Sequence, residues 1–313
     1  MTLSQPTDDM LFILGAPRSG TTYLAKLVSQ AFGYAMGPEG QFVVKFARRI
    51  NRYGPLSNTA NLRHLVTDIS ADMMFVTLRE QYGVDITVSD ILERTAESTY
   101  AGIVEAVFRA IADRRNLPRI GTKYPDFALH LPYLESLFKS RGKYLCVVRD
   151  GRDVFLSLQG VPWGHMSAYA AAKRWVCIDQ RVREFSETRA GERLLCITYE
   201  ELLSDLDGTL GKLELFLKIS ISPNIRAHML EGADKRLSYK ENCRKWKAAM
   251  TQNDQYVYEA IAGDTLRRHG YETMFDEPSI SAWQVLKFRL GELARLIRIN
   301  IYHARHRRRA GDG

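Results

Sequence analysis

Met10-Leu-Phe-Ile-Leu-Gly15-Ala-Pro-Arg-Ser-Gly20-Thr-Thr22 is the stretch that decides how this chain folds. Its first five residues form a continuous apolar run, as a strand buried on both faces requires. The loop Gly15–Gly20 follows, and residues 21–31 then carry Leu24, Leu27 and Val28 at helical spacing. A strand, a glycine-bounded loop and a helix make a P-loop frame, in which backbone N–H groups and a helix N-terminus converge on an anion. Four residues separate the two glycines, but Thr21 stands where a nucleotide triphosphatase has its lysine. Arg18 is the loop's cation, and no obvious acidic strand end offers Mg²⁺ a ligand. The loop therefore suits a smaller anionic group than a magnesium-bound triphosphate. The plainer alternative is a tight glycine turn ahead of a capped helix.

Three further stretches repeat the order strand, polar turn, helix. Arg119–Lys123 leads through Tyr124-Pro125-Asp126 into a helix predicted over residues 127–139. Residues 143–148 run into Arg149-Asp150-Gly151-Arg152 and another helix, and residues 193–198 into the helix opening at Tyr199-Glu200-Glu201. This alternation predicts an α/β fold with a P-loop-type parallel sheet flanked by helices. Residues 43–116 read as mainly helical and are too long for a simple crossover. They are expected to be a helical insertion at the carboxyl ends of the strands, on the side where an acceptor pocket would form. A late helix is predicted over residues 256–269, ending near Gly270. Residues 1–280 then form one domain and residues 281–313 a tail.

The chain has 313 residues, 45% hydrophobic and 26% charged, which excludes a disordered or fibrous protein. Its longest uncharged apolar runs fall far short of the ~20 residues of a transmembrane helix. The start has no basic segment and no long apolar core, so no signal peptide is expected and a cytoplasmic location is. Cys146, Cys177, Cys196 and Cys243 lack C-x-x-C spacing and read as buried thiols in a reducing compartment. Net charge is +8, from 44 Lys+Arg against 36 Asp+Glu. Residues 281–313 hold eight basic and two acidic residues, contributing 8 − 2 = +6, so the body is nearly balanced. No nucleic-acid partner is expected of such a body. Within residues 283–302, Leu286, Leu290, Leu293, Ile297 and Ile301 recur at spacings of three and four among Arg and Lys. That is a basic amphipathic helix with three open fates. It could dock on the body or a partner helix, lie peripherally on the inner membrane surface through residues 283–309, or bind a polyanionic acceptor.

Gly15-Ala-Pro-Arg-Ser-Gly-Thr-Thr22 resembles the 5′-phosphosulfate loop of sulfotransferases that use 3′-phosphoadenosine 5′-phosphosulfate (PAPS). Further matches in the same order extend the resemblance over roughly residues 10–271, toward the tyrosylprotein-type and related bacterial branch. It implies that Pro17, Arg18, Ser19, Gly20, Thr21 and Thr22 cradle the donor's 5′ end. Val147 to Ser157 resembles the 3′-phosphate element, which implies Arg149 and Ser157 as ligands; a planar guanidinium with a hydroxyl suits a dianionic phosphate. Arg152 and Asp153 read instead as a capped helix start, with Asp150 paired to Arg152. Thr198-Tyr199-Glu200-Glu201-Leu202 resembles an element whose tyrosine lies beside the nucleotide. Arg244-Lys245-Trp246-Lys247 resembles the segment that closes over the cofactor, implying Lys245 at the 3′-phosphate and Trp246 over the adenine. Asn242-Cys243 stand where the family often has a glycine, and Trp246 reads equally well as plain core.

Sulfuryl transfer needs in-line geometry, charge stabilisation on the leaving group and a base for the acceptor. Glu39, in Gly37-Pro38-Glu39-Gly40, lies 39 − 18 = 21 residues past Arg18, where that branch has its general base. The flanking Gly-Pro and Gly predict a fixed turn; the alternative is a solvated turn glutamate. Gly121-Thr-Lys-Tyr-Pro125 resembles the strand end whose lysine meets the sulfuryl or bridging oxygen, here Lys123, with Tyr124 replacing a small polar residue. The resemblance implies no metal. Its small-molecule branch uses a histidine base, so His130 and His165 are weighed: the first reads as a surface or packing residue, and nothing ties the second to the reaction. The implied reaction moves a sulfuryl group from PAPS to a glycan, lipid or small metabolite, leaving 3′,5′-bisphosphoadenosine (PAP). The rival readings are a P-loop nucleotide kinase and a non-catalytic nucleotide-binding protein of the same fold.

Overall fold

In the computed structural model of the chain, which describes residues 9–161, 164–232 and 239–295, the run at Met10 is the central strand of a sheet. β1 (Met10–Gly15), β2 (Tyr34–Ala35), β3 (Arg119–Lys123), β4 (Gly142–Val148) and β5 (Leu194–Thr198) are all parallel, in the order β2-β3-β1-β4-β5. Phe12 sits opposite Thr122 on one side and Tyr144 on the other. All six residues of β1 are buried, the reason its sequence is continuously apolar and not alternating. Four strands fall where the sequence places them, to within a residue. β2 was not foreseen: two residues are too short to show a period, and the strand is held only by pairing Tyr34 with Arg119 and Ala35 with Ile120.

Helices cover the sheet. α1 (Thr21–Phe32) buries Leu24, Leu27 and Val28. The helical stretch expected over residues 43–116 holds α2 (Phe42–Ala47), α3 (Thr59–Ser70), α4 (Met73–Tyr82), α5 (Val88–Arg94) and α6 (Tyr100–Arg114). Asn58, Asp72, Thr87 and Thr99 each accept backbone N–H bonds at the start of α3 to α6, which fixes where those helices begin. α6 is buried along most of its length and is the crossover into β3. The helix predicted over residues 127–139 is instead a 3-10 segment, Pro125–His130, followed by α7 (Leu131–Phe138). Pro125 and Pro132 each open a segment, and proline cannot continue one hydrogen-bonded helix through its own nitrogen. Phe127 and Phe138 from these segments pack on Phe12 at 5.5 and 5.0 Å between ring centroids.

The chain continues through α8 (Gly151–Gln159), α9 (Ala168–Ser186), α10 (Tyr199–Ser204), α11 (Leu206–Leu217), α12 (Pro223–Glu231), α13 (Tyr239–Asn242), α14 (Trp246–Ala249), α15 (Gln252–Arg268) and α16 over residues 282–295. Two compact units result: Met1–Arg149 with Arg181–Tyr239, which holds the sheet, and Asp150–Gln180 with Lys240–Gly313. The second unit is built around Arg152, wholly buried, whose guanidinium meets Asp150 at 2.8 Å and Glu259 at 2.7 Å and lies 3.5 Å from the Trp246 ring centroid. The predicted Asp150–Arg152 pair is present; Glu259, from α15, was not foreseen. α15 starts four residues earlier than predicted because Thr251 caps it by accepting the Asp254 N–H. One expectation fails: Cys146 and Cys243 are buried, but Cys177 and Cys196 are exposed. Cys196 lies on β5, the edge strand of the sheet among the described residues, and Cys177 at an exposed position of α9. No helix among the described residues is long and apolar enough to cross a membrane.

Candidate active site

The loop after β1 is a tight turn closed on itself. The Ser19 N–H and hydroxyl both donate to the Ala16 carbonyl, at 3.1 and 2.6 Å. Gly15 and Gly20 hold φ of 144° and 100°, and Arg18 holds 70°. Glycine is required twice over: a Cβ on Gly15 would stand 2.4 Å from the Val147 carbonyl oxygen, and one on Gly20 2.4 Å from the Tyr199 ring. Gly20 is also the N-cap of α1 and brings no side-chain cap. The start of a twelve-residue helix, with its partial positive charge, stands at this turn and suits an anion. Arg18 is exposed at the rim of this turn.

Two cations flank the loop within the first unit. Arg149, 6% exposed, donates to the Arg18 carbonyl at 2.8 Å and lies 4.5 Å above the Tyr199 ring centroid. Tyr199 therefore supports both Gly20 and Arg149, which explains its place at the start of α10. Lys123, at the end of β3, donates to Glu39 Oε1 at 2.8 Å and to Thr22 Oγ1 at 3.0 Å. Glu39 reaches it through the backbone as well: residues 39 and 123 form a parallel bridge, and the Gly40 N–H bonds the Lys123 carbonyl at 3.0 Å. The turn expected at Gly37–Gly40 is this bridge.

One ammonium thus joins the glutamate to the helix that carries the loop. Lys123 is nearly buried, while the Glu39 side chain is 44% exposed and open to an approaching group. Such a carboxylate can take a proton from a hydroxyl or amine. The ammonium and the N–H groups can hold negative charge. Gly40 sets the approach. A Cβ there would stand 2.2 Å from Thr122 Oγ1, so only glycine lets this segment lie against β3. The sequence singled out Glu39 and Lys123 and read Gly40 as part of a fixed turn, but not as the residue that lets the segment lie against β3.

Ser157, Lys245 and Trp246 belong to the second unit. Ser157 is half-buried on α8, and Lys245 is exposed, its Nζ 3.5 Å from Asn242 Oδ1. Trp246 is 1% exposed beneath Arg152 and is a core residue of that unit. Asp153 accepts the N–H groups of Arg244 and Trp246, at 2.7 and 3.0 Å, and so ties this segment to α8. His130 is half-buried and 3.2 Å from the Arg48 guanidinium; burial and that cation lower its pKa. His165 is exposed. Tyr124 donates its N–H to the Ile13 carbonyl and packs edge-on against Phe127, a structural part in the turn. A cavity of about 430 Å³ lined by Tyr100, Ser136, Lys139 and Arg141 lies beside the amino end of β4, at the opposite end of the sheet from the loop.

A family model described as the sulfotransferase family matches residues 10–223. Among solved structures, the chain is similar to the sulfotransferase domain from the curacin biosynthetic pathway. The two are 20% identical with a TM-score of 0.51, over 86% of this chain and all of that one. It is also similar to the sulfotransferase domain of the Synechococcus PCC 7002 olefin synthase, 18% identical with a TM-score of 0.52, over 84% of this chain and 97% of that one. No curated protein matches it.

Proposed function

Because the chain belongs to the sulfotransferase family, we propose that it moves a sulfuryl group from PAPS to a hydroxyl or amine of a glycan, lipid or small metabolite, with Glu39 as general base. The observation that carries the reading is the Lys123 ammonium shared between the Glu39 carboxylate and the Thr22 hydroxyl. Acid–base chemistry and charge stabilisation then meet at one point.

The residues present fit the donor's anionic end. The uncapped start of α1, the self-closed loop and two cations at its edges form a cradle of donors, with Glu39 held at its margin by Lys123. When bound, the donor supplies the sulfuryl group and a phosphate oxygen that leaves with negative charge. Glu39 takes the acceptor's proton as its oxygen or nitrogen attacks. Lys123, Arg18 and the α1 N–H groups hold the charge released. Arg149, fixed over Tyr199, is the ligand for the 3′-phosphate, where a guanidinium offers paired donors.

The reading is tested by incubating the chain with sulfur-labelled PAPS and panels of glycan, lipid and small hydroxyl or amine acceptors. Label on an acceptor with one PAP formed per transfer is expected. Phosphate transfer from labelled ATP with magnesium would contradict it. Gly40→Ala is expected to lower turnover about 100-fold, because a shift of an ångström at a reacting group costs that much. Adding Thr122→Ala removes the obstructing hydroxyl and should restore most of the loss; a double variant no better than the single would show that Gly40 does not place Glu39 in this way.

A further inference from the structure

Of the tail's amphipathic stripe, Leu286, Leu290 and Leu293 are exposed to solvent, while Ile297 and Ile301 lie outside the described residues. α16 is anchored by its other side: Phe288 stacks on Tyr169 with ring centroids 5.3 Å apart. Glu292 Oε1 accepts from the Ser167 N–H at 3.0 Å and its hydroxyl at 2.9 Å. Val285, Phe288, Glu292 and Arg295 are the partly buried positions, spaced by three and four as one helix face must be. Trp283, Leu286, Leu290 and Leu293 remain 72, 46, 57 and 55% exposed.

At ~100° per residue these four side chains form one stripe about a quarter-turn wide. Lys287 borders it on one side and Arg289 on the other. The exposed positions of α16 contain no acidic residue, since Glu292 is turned inward onto Ser167. An apolar stripe between two cationic edges is matched by a surface that is apolar below and anionic above. Lys and Arg can then bury their stems while their charges stay with phosphate groups. Trp283, with a large apolar ring and a polar N–H, suits the boundary between the two. A second copy of this chain matches poorly, because its own Lys287 and Arg289 would meet the same cations. The sequence beyond residue 295 adds Arg298, Arg305 and Arg307–Arg309 against Asp312 alone.

We propose that this face of α16 lies on an anionic lipid bilayer and holds the protein at its surface. The test is sedimentation of the full chain with phosphatidylcholine vesicles, and with vesicles of phosphatidylcholine and phosphatidylglycerol at three to one. Binding to the anionic vesicles is expected, and Leu286→Glu with Leu290→Glu should lower it roughly tenfold or more without changing the melting temperature. Equal binding by the double variant would assign adsorption to the basic terminus and overturn the proposal. So would no vesicle binding by the wild type, a wild-type dimer that the variant splits, or a variant that melts lower because the face is packed in solution.

Discussion

Glu39→Gln is expected to lower sulfuryl transfer by about 100- to 10,000-fold, the range that loss of a general base covers, while leaving affinity for PAP within about twofold. The substitution is nearly isosteric, and its carbonyl oxygen can still accept from Lys123, whose ammonium lies 2.8 Å from the carboxylate. The bridge between residues 39 and 123 is made by the backbone and should persist. What disappears is the ability to receive the acceptor's proton. A loss confined to kcat, with the PAP titration unchanged, identifies the base. If the variant turns over within a few-fold of wild type, Glu39 is a solvated turn residue and the proton goes elsewhere.

Arg152→Met should be the most damaging substitution for stability, by about 3–5 kcal/mol. Arg152 is fully buried and pairs with Asp150 and with Glu259, which is itself fully buried. Removing the cation leaves two carboxylates in a low-dielectric interior facing each other's charge, and uncovers the Trp246 ring. Denaturant unfolding of the variant measures the loss. Where the variant does not fold, Glu259→Gln reads the same network more gently: its carboxylate also accepts from the Met274 and Phe275 N–H groups, at 2.8 and 3.0 Å. Restoration on combining Arg152→Met with Asp150→Asn and Glu259→Gln is expected, since uncompensated charge is the cause. A change below about 1 kcal/mol in Arg152→Met would mean that water or another cation already neutralises the pair.

How much of this was legible in the sequence depends on the distance over which each feature is determined. β1, its loop and α1 are local, written in an apolar run, two glycines and a helical period, and they were read correctly. β2 exists only through its pairing to Arg119 and Ile120, so nothing local announces it. The break between Pro125–His130 and α7 was announced by two prolines but overridden by the apolar pattern. Resemblance picked out Glu39 and Lys123 separately. Their contact spans 84 residues and depends on Gly40 fitting against Thr122, a property of packing. Asp150 was paired with Arg152 because a single residue separates them; Glu259 is 107 residues away on another helix. Periodicity found the tail's apolar stripe but could not say whether it was covered, which Phe288 and Glu292 decide by anchoring the opposite side.

The most direct test is a calorimetric titration of the purified chain with PAP, set against ADP and against ATP with magnesium, because it requires no acceptor. A clear preference for PAP is expected. Arg149→Ala should weaken PAP by about 10- to 100-fold, the value of a hydrogen bond to a charged group, and ADP much less; a merely distorted loop would weaken both alike. Preference for ATP with magnesium, or equal binding of PAP and ADP, would contradict the assignment of PAPS as donor.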